Sequence, residues 1–349
     1  MKITAFKYLT TFIPGIAVGV SFLYNDVWSW FAVFFVFGAI PMFELVLGAS
    51  QSNIDEEQLA LRAKDRIYDF LLYIIVPIQW LFIFWFCFLM QNNQNISGWE
   101  WFGKVMAMGI LCGSFGINVA HELGHRNHKI EQFFSKMLLC SSLYMHFFIE
   151  HNRGHHKHVA TPKDPSTARM HEMVYLFWFR SMFQTWVSSW KIEIERLRRE
   201  GKWILGWENE MLRFQCIQIA VLLGLGLIFG GWAVFSFWLA ALIGGVFLET
   251  INYIEHYGLM RKKTASGHYE TMQPQHSWNS NHLVGRLILF ELSRHSDHHF
   301  KSNKKYQTLI SIDAAPQMPT GYPGMMVLSL LAPLWFWVMN PRVKKYASG

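Results

Sequence analysis

Residues 118–129, NVAHELGHRNHK, place His121 and His125 four apart with Glu122 beside the first. On a helix that spacing puts two imidazoles on one face. With the glutamate as general base, it is the pattern of a single catalytic zinc. Further segments change the count: EHNRGHHKHVATPKDP supplies His151, His155 and His156, NYIEHYG supplies His256, and LSRHSDHHF supplies His295, His298 and His299. A catalytic zinc takes three protein ligands and keeps one position open. Nine clustered imidazoles therefore oversupply one metal and suit two. Imidazole-rich coordination is compatible with iron, copper, nickel or zinc, and residue types alone do not choose among them.

Other readings of so many histidines are weaker. A metal transporter sets its site near the membrane midplane and pairs imidazole with carboxylate, whereas these clusters fall at or beyond the ends of apolar segments. Any one histidine could be a solvated or packed side chain, but that does not account for three dense clusters. The four cysteines, Cys87, Cys112, Cys140 and Cys216, all lie in apolar stretches and form no C-x-x-C pair, which argues against an iron–sulfur centre, a thiolate zinc site or a disulfide framework.

The elements that must position these residues are membrane helices. Of the 349 residues, 52% are apolar and 16% charged, a membrane composition. A bilayer core of about 30 Å needs about 20 apolar residues of helix, and stretches at roughly 8–24, 28–49, 69–90, 102–120, 211–229 and 232–254 qualify. The fold class expected is an all-α integral membrane protein of six transmembrane helices in a single domain, 1–349. Lys and Arg crowd into 50–68, 121–210 and 255–349 and are absent from the connections near 25–27, 91–100 and 229–231. By the positive-inside rule both termini, and the His-rich segments 121–210 and 255–349, are expected to be cytoplasmic. The same bias accounts for most of the +7 formal charge, so no nucleic-acid partner is needed. Residues 131–149 read as one apolar interfacial or re-entrant helix. Residues 325–340, interrupted by Pro333, read as another interfacial segment.

The stretches NVAHELGHR, EHNRGHHKHVATPKDPSTAR, NYIEHYGL and HSWNSNHLVGRLILFELSRHSDHH closely resemble the integral-membrane alkane 1-monooxygenase (alkane hydroxylase) family, itself related to the membrane fatty-acid desaturases and hydroxylases. The resemblance runs from the first helix to PTGYPG at 319–324. It implies a non-haem diiron site in the inner (cytoplasmic) membrane, held by His121, His125, His151, His155, His156, His256, His295, His298 and His299. It further implies that O2 is the cosubstrate and that a terminal methyl group of an alkane becomes a 1-alkanol. NYIEHYG and HSWNSNH look like the alkane hydroxylases, so hydroxylation is favoured over the alternative of a fatty-acid hydroxylase or desaturase. No glycine-rich nucleotide motif or cysteine cluster is present to deliver two electrons per turnover. The resemblance implies rubredoxin as donor, reduced by an NAD(P)H-dependent rubredoxin reductase. Lys191, Arg196, Arg198, Arg199 and Arg261 to Lys263 offer a basic face that could steer an acidic donor.

A histidine that ligates a metal usually donates its other ring N–H to a carboxylate or carbonyl. Glu122, Glu150, Asp164, Glu255 and Asp297 are therefore the candidates to support the ligands. An alkane offers no polar handle, so selection must come from shape and apolar burial in a tunnel between spans. Val33, Val36, Phe37 and Ile40 of the second span share a helical face that could line it. Of the other histidines, His128, His158, His171 and His268 are expected at the surface or at helix ends, and His146 as a packed, hydrogen-bonded residue. His276 and His282 could support ligands.

Overall fold

The computed structural model describes residues 2–93 and 95–347. In chain order, α1 (Phe6–Leu23) and α2 (Asp26–Leu47) form a first hairpin of spans. The short α3 (Glu56–Lys64), capped by Asp55, runs over one end of the bundle. Next, α4 (Ile67–Asn92) and α5 (Gly98–Gly124) form a second hairpin. A polar excursion follows, built of α6 (Lys129–Cys140), α7 (147–158) and the 26-residue α8 (Val174–Arg199). The third hairpin is α9 (Glu210–Phe229) and α10 (Gly231–His256), turned by Gly230 at φ 83°. The short α11 (Leu283–Ile288) and α12 (His295–Phe300), and then α13 (Tyr322–Ser329) and α14 (Ala332–Ala347), complete the chain. Among the described residues, β-type pairing is confined to isolated bridges such as Ala49 to His282. This is an all-helical integral membrane protein with six helices long and apolar enough to cross a bilayer.

The expected spans coincide with these six helices, with ends moved by a few residues. The differences that matter are at α5 and α10, which continue as helix through His121 and through His256. The candidate ligands His121 and His256 thus sit on the spans' own last turns. The far end of α5 starts on a reciprocal cap, in which the Ser97 hydroxyl accepts from the Glu100 N–H and the Glu100 carboxylate accepts from the Ser97 N–H. One turn further in, the buried Lys104 ammonium donates to the carbonyls of Ser21, Phe22 and Tyr24 at 2.8–3.1 Å. It neutralises the open carbonyl end of α1.

Alternation of the hairpins brings the start of α1, the end of α2, the start of α4 and the ends of α5 and α10 to one polar layer. Tyr8 of α1 donates to Glu291, Glu44 of α2 accepts from the Gly285 N–H, and Lys305 pairs with Asp69 of α4. α5 is the most buried of the spans and packs against α10 at Gly109 and Gly244. A Cβ on Gly244 would stand 2.5 Å from that of Cys112, so the helices approach this closely only with glycine there.

One expected element is corrected, and one expected break is located. Residues 131–149 are not one helix: α6 ends at Cys140 and α7 begins at Phe147. The break is a Schellman turn, with Leu143 at φ 51° and bonds from the Tyr144 N–H to the Leu139 carbonyl and from the Leu143 N–H to that of Cys140. It reverses the chain so that α7 points its histidines at α5. Residues 325–340 are likewise two helices bent by 119°. Pro333 lies at the second position of α14, where a missing N–H costs nothing, and marks a helix start rather than a kink.

Candidate metal centre

His121 and His125 project from the last turn of α5. α7 contributes His151, His155 and His156 through a π-helical turn at His151–His155. The wider turn aligns residues five apart, so His151 and His156 meet with their Nε2 atoms 3.0 Å apart while His155 faces the other way. His256 comes from the end of α10, and His295, His298 and His299 from α12.

The nine rings divide into two groups, each with ligand atoms within 4.8 Å of one another: His121, His125, His151, His156 and His298 in one, His155, His256, His295 and His299 in the other. The neighbours His155 and His156, and likewise His298 and His299, go to opposite groups. The groups touch, with His156 and His299 ring centroids 4.5 Å apart.

The Nε2 atoms of His125 and His151 are 3.0 Å apart, those of His256 and His295 3.1 Å, and those of His155 and His299 3.3 Å. Metal–nitrogen bonds of about 2.1 Å give separations of about 3.0 Å at a right angle and about 3.4 Å at a tetrahedral one. Buried imidazole nitrogens gathered at these distances could hold a metal ion in each group. His298 Nε2 has no protein partner, as expected of a nitrogen reserved for a cation. Burial first, and the neighbouring imidazoles second, hold His125, His151, His156, His295, His298 and His299 well below the ordinary histidine range. They are neutral, the form that ligates.

The five candidate acids do different things. Asp164 faces His155 Nδ1 at 3.0 Å and also receives the Thr167 hydroxyl. Burial raises its carboxyl, but His155 and Thr167 outweigh that and hold it below the usual carboxylate range. Glu255 lies 3.2 Å from His295 Nδ1 and accepts the Tyr322 hydroxyl at 2.6 Å. Asp164 thus holds the other nitrogen of His155, whereas His295 Nδ1 makes no hydrogen bond to the nearby Glu255. Glu122 instead pairs with Arg126 and accepts the Tyr306 N–H. Facing away from the rings, it cannot serve as a general base there. Asp297 is taken by Lys304 at 2.7 and 2.8 Å and by the Ile310 N–H. Glu150 is buried with Oε1 unpartnered and is pushed well up by that burial, reinforced by the charge of Asp164.

The remaining histidines lie outside both groups. His276 pairs with Glu270 and accepts the Gln273 N–H. His282 bonds Ser280, His128 caps α6 and His171 bonds Asn340. His146 is packed, as expected, with its ring on Tyr144, but its Nε2 lacks the expected protein hydrogen bond.

Two cavities abut beneath the rings. One of about 70 Å3 is walled by Val36, Phe37, Ile40, Ile110, Phe247 and Tyr322 among others, with no charged residue in its lining. A smaller one of about 30 Å3 reaches His121, His151, His295, Glu255 and Asn252. Gly113, Asn118 and Ile251 line both, at the π-helical segment Cys112–Asn118 of α5. Of the four residues expected to line a tunnel, Val36, Phe37 and Ile40 do so, and Val33 packs into the core beside them. The sequence reading missed the constriction at Asn118 and Ile251, and also two acids inside spans, Glu44 and Glu249. A lone carboxyl in an apolar run was the available signal for both acids.

Comparison with known proteins follows this geometry. Residues 99–329 match the fatty acid desaturase family model. Alkane 1-monooxygenase 1 of Pseudomonas aeruginosa is 39% identical over 92% of this chain and 85% of its own length. Alkane 1-monooxygenase 2 of the same organism is 37% identical over 93% and 87%, and alkane 1-monooxygenase 2 of Alcanivorax borkumensis 36% over 95% and 87%.

Proposed function

Because the chain belongs to the fatty acid desaturase family and, within it, groups with the alkane 1-monooxygenases, we propose that it hydroxylates a terminal methyl group of an alkane. The observation that carries this reading is the uncharged cavity at Val36 and Ile40, which shares Gly113, Asn118 and Ile251 with the smaller cavity at the foot of the histidine clusters. A fatty acid would bring a carboxylate needing a cation or a set of donors, and the cavity lining supplies no Lys or Arg.

The nine histidines would hold two metal ions, five ligands on one and four on the other, and the family resemblance makes them iron. When bound, the pair supplies reduction of O2 and insertion of one of its oxygen atoms into the C–H bond. The protein supplies the rest. Asp164 fixes the tautomer of His155, so that it presents its Nε2 lone pair inward. Gly113 and Asn118 of α5 and Ile251 of α10 lie between the two cavities, and a chain end passing them would reach the rings.

Electrons come from a separate carrier, which the family resemblance makes rubredoxin. Arg153, Arg196, Lys202 and Arg213 line a cleft with Glu208 and Glu210, and Arg153 lies between His151 and His155 in the chain. An acidic carrier docked there would sit behind the metal-bearing turn. The Lys and Arg bias supports a cytoplasmic placement of this layer in the inner membrane.

The experiment is an 18O2 assay on protein reconstituted with rubredoxin, its reductase and NADH, offered alkanes and fatty acids together. Labelled 1-alkanols that vanish in His155→Ala and His298→Ala carry the proposal. Oxidation of the acids alone would leave the family and remove the substrate, and metal movement across vesicles without O2 uptake would return the transport reading.

A further inference from the structure

Resting on the hydroxylase reading, the reaction RH + O2 + 2e− + 2H+ → ROH + H2O consumes two protons at a centre shut away from solvent. The nine histidines are the groups that would hold the metals. Asp164 is held by His155 and Thr167, Glu255 accepts the Tyr322 hydroxyl, and Glu122 and Asp297 are locked to Arg126 and Lys304. None of these is free to cycle a proton in from outside.

Glu249 is differently placed. It lies on α10 seven residues before His256, two turns along the same face, and is 1% exposed within an apolar span. Its Oε1 accepts the Tyr144 hydroxyl at 2.8 Å, and its Oε2 accepts the Ser181 hydroxyl and, at 3.2 Å, the Asn252 amide. Asn252 lines the 30 Å3 cavity with His121, His151 and His295, and that volume holds at least one water. Tyr144 lines a separate cavity of about 380 Å3 that opens between α8, α9 and α10, walled in part by Trp186, Gln215, Gln218 and Trp238. His146 is in the same wall, 6% exposed, its ring 4.3 Å from that of Tyr144 and its Nε2 without a protein partner. Tyr144, Glu249 and Asn252 thus stand in series between the outer cavity and the cavity at the rings.

We propose that Glu249 is the carboxyl that relays protons to the metal centre, with Tyr144 its link to the outer cavity and Asn252 the residue that aims it at the inner one. In each transfer the carboxylate takes a proton through the Tyr144 hydroxyl and releases it, past Asn252, to a water admitted to the inner cavity, and two transfers balance one turnover. The titratable groups that act on Glu249 are Tyr144 from the turn before α7, and Glu150 and His155 from α7. Ser181 of α8 faces it as a neutral donor. The same bonds could make Glu249 a mere clamp between α8, α10 and the Tyr144 turn, and the test has to separate the two roles.

Glu249→Gln keeps the shape and loses the exchangeable carboxyl proton, while Tyr144→Phe keeps the ring and cuts the outer link. Expected for both are unchanged metal content and alkane KM, a kcat lowered about tenfold or more, and a larger solvent deuterium isotope effect on kcat. Glu249→Asp should recover most of the rate. Infrared difference spectra on reduction should lose a deuterium-sensitive carboxyl band in Glu249→Gln. Wild-type turnover and isotope effect in Glu249→Gln would overturn the relay. So would a loss of rate in both variants that follows loss of metal, with an unchanged isotope effect. Wild-type protein that hydroxylates no alkane would remove the hydroxylase reading and the relay with it, an outcome distinct from an active wild type with indifferent variants.

Discussion

His155 and Asp164 face each other across 3.0 Å, ring Nδ1 to carboxylate, both shut off from solvent. The Thr167 hydroxyl and the Ser166 N–H hold the acid from its other side, so the pair is set before any metal arrives. Asp164→Ala frees the His155 ring to turn and to take the wrong tautomer. Metal affinity of the four-histidine group should fall about 10- to 100-fold, with a smaller loss in Asp164→Asn, which keeps an acceptor oxygen. Competitive metal titration of the purified protein reads both.

The cavity wall makes a prediction about chain length. Burial from water is worth about 0.8 kcal/mol per CH2, but an alkane dissolved in the bilayer has already left water, so selection has to be steric. Val36 lines the cavity and Val33, one turn earlier on α2, does not. Val36→Trp should shift product formation toward shorter alkanes, whereas Val33→Trp should leave the chain-length profile unchanged. Gas chromatography of products from an alkane ladder decides, and identical profiles for all three proteins would remove α2 from the tunnel.

Arg126 sits beneath the α5 histidines, paired with Glu122 and 3.4 Å from Asp69, with Arg126 and Glu122 both under 10% exposed. Arg126→Met leaves Glu122 buried without its cation, a change that costs about 3–5 kcal/mol. The variant should melt well below wild type and lose metal from the group holding His121 and His125. Adding Glu122→Gln should restore much of the melting temperature, because the stranded charge is then gone.

Much of this was legible because the physics is coarse. Bilayer thickness sets span length, and charge bias sets which loops share a side, so six helices and a common histidine layer can be read from composition. The division of the histidines could not be. His151 and His156 join one group because α7 widens into a π-helical turn that aligns residues five apart, which no spacing rule in a single sequence announces. The acids show a similar limit. Glu122 and Asp297 adjoin ligands in sequence, but successive residues on a helix point about 100° apart, so they face Arg126 and Lys304 instead. Asp164 reaches His155 only by the loop that follows α7. The break at Leu143 was hidden because a leucine, not a glycine, occupies the left-handed position.

His146 gives a prediction in pH. Burial pushes its imidazole down from about 6.5 to about 4, so between those values the unfolded chain binds a proton that the folded protein refuses. Stability then rises with pH across that window: it is complete above about 6.5, falls as the pH drops toward 4, and loses nothing further from this group below that. A shift of this size corresponds to about 3 kcal/mol at one group. His146→Gln removes the titration and keeps a polar side chain on the outer cavity. Melting temperatures of wild type and variant should differ little at pH 7.5, and the wild type should lose more on going to pH 4.5. Parallel curves across the range would mean that the His146 ring is already protonated in the folded protein.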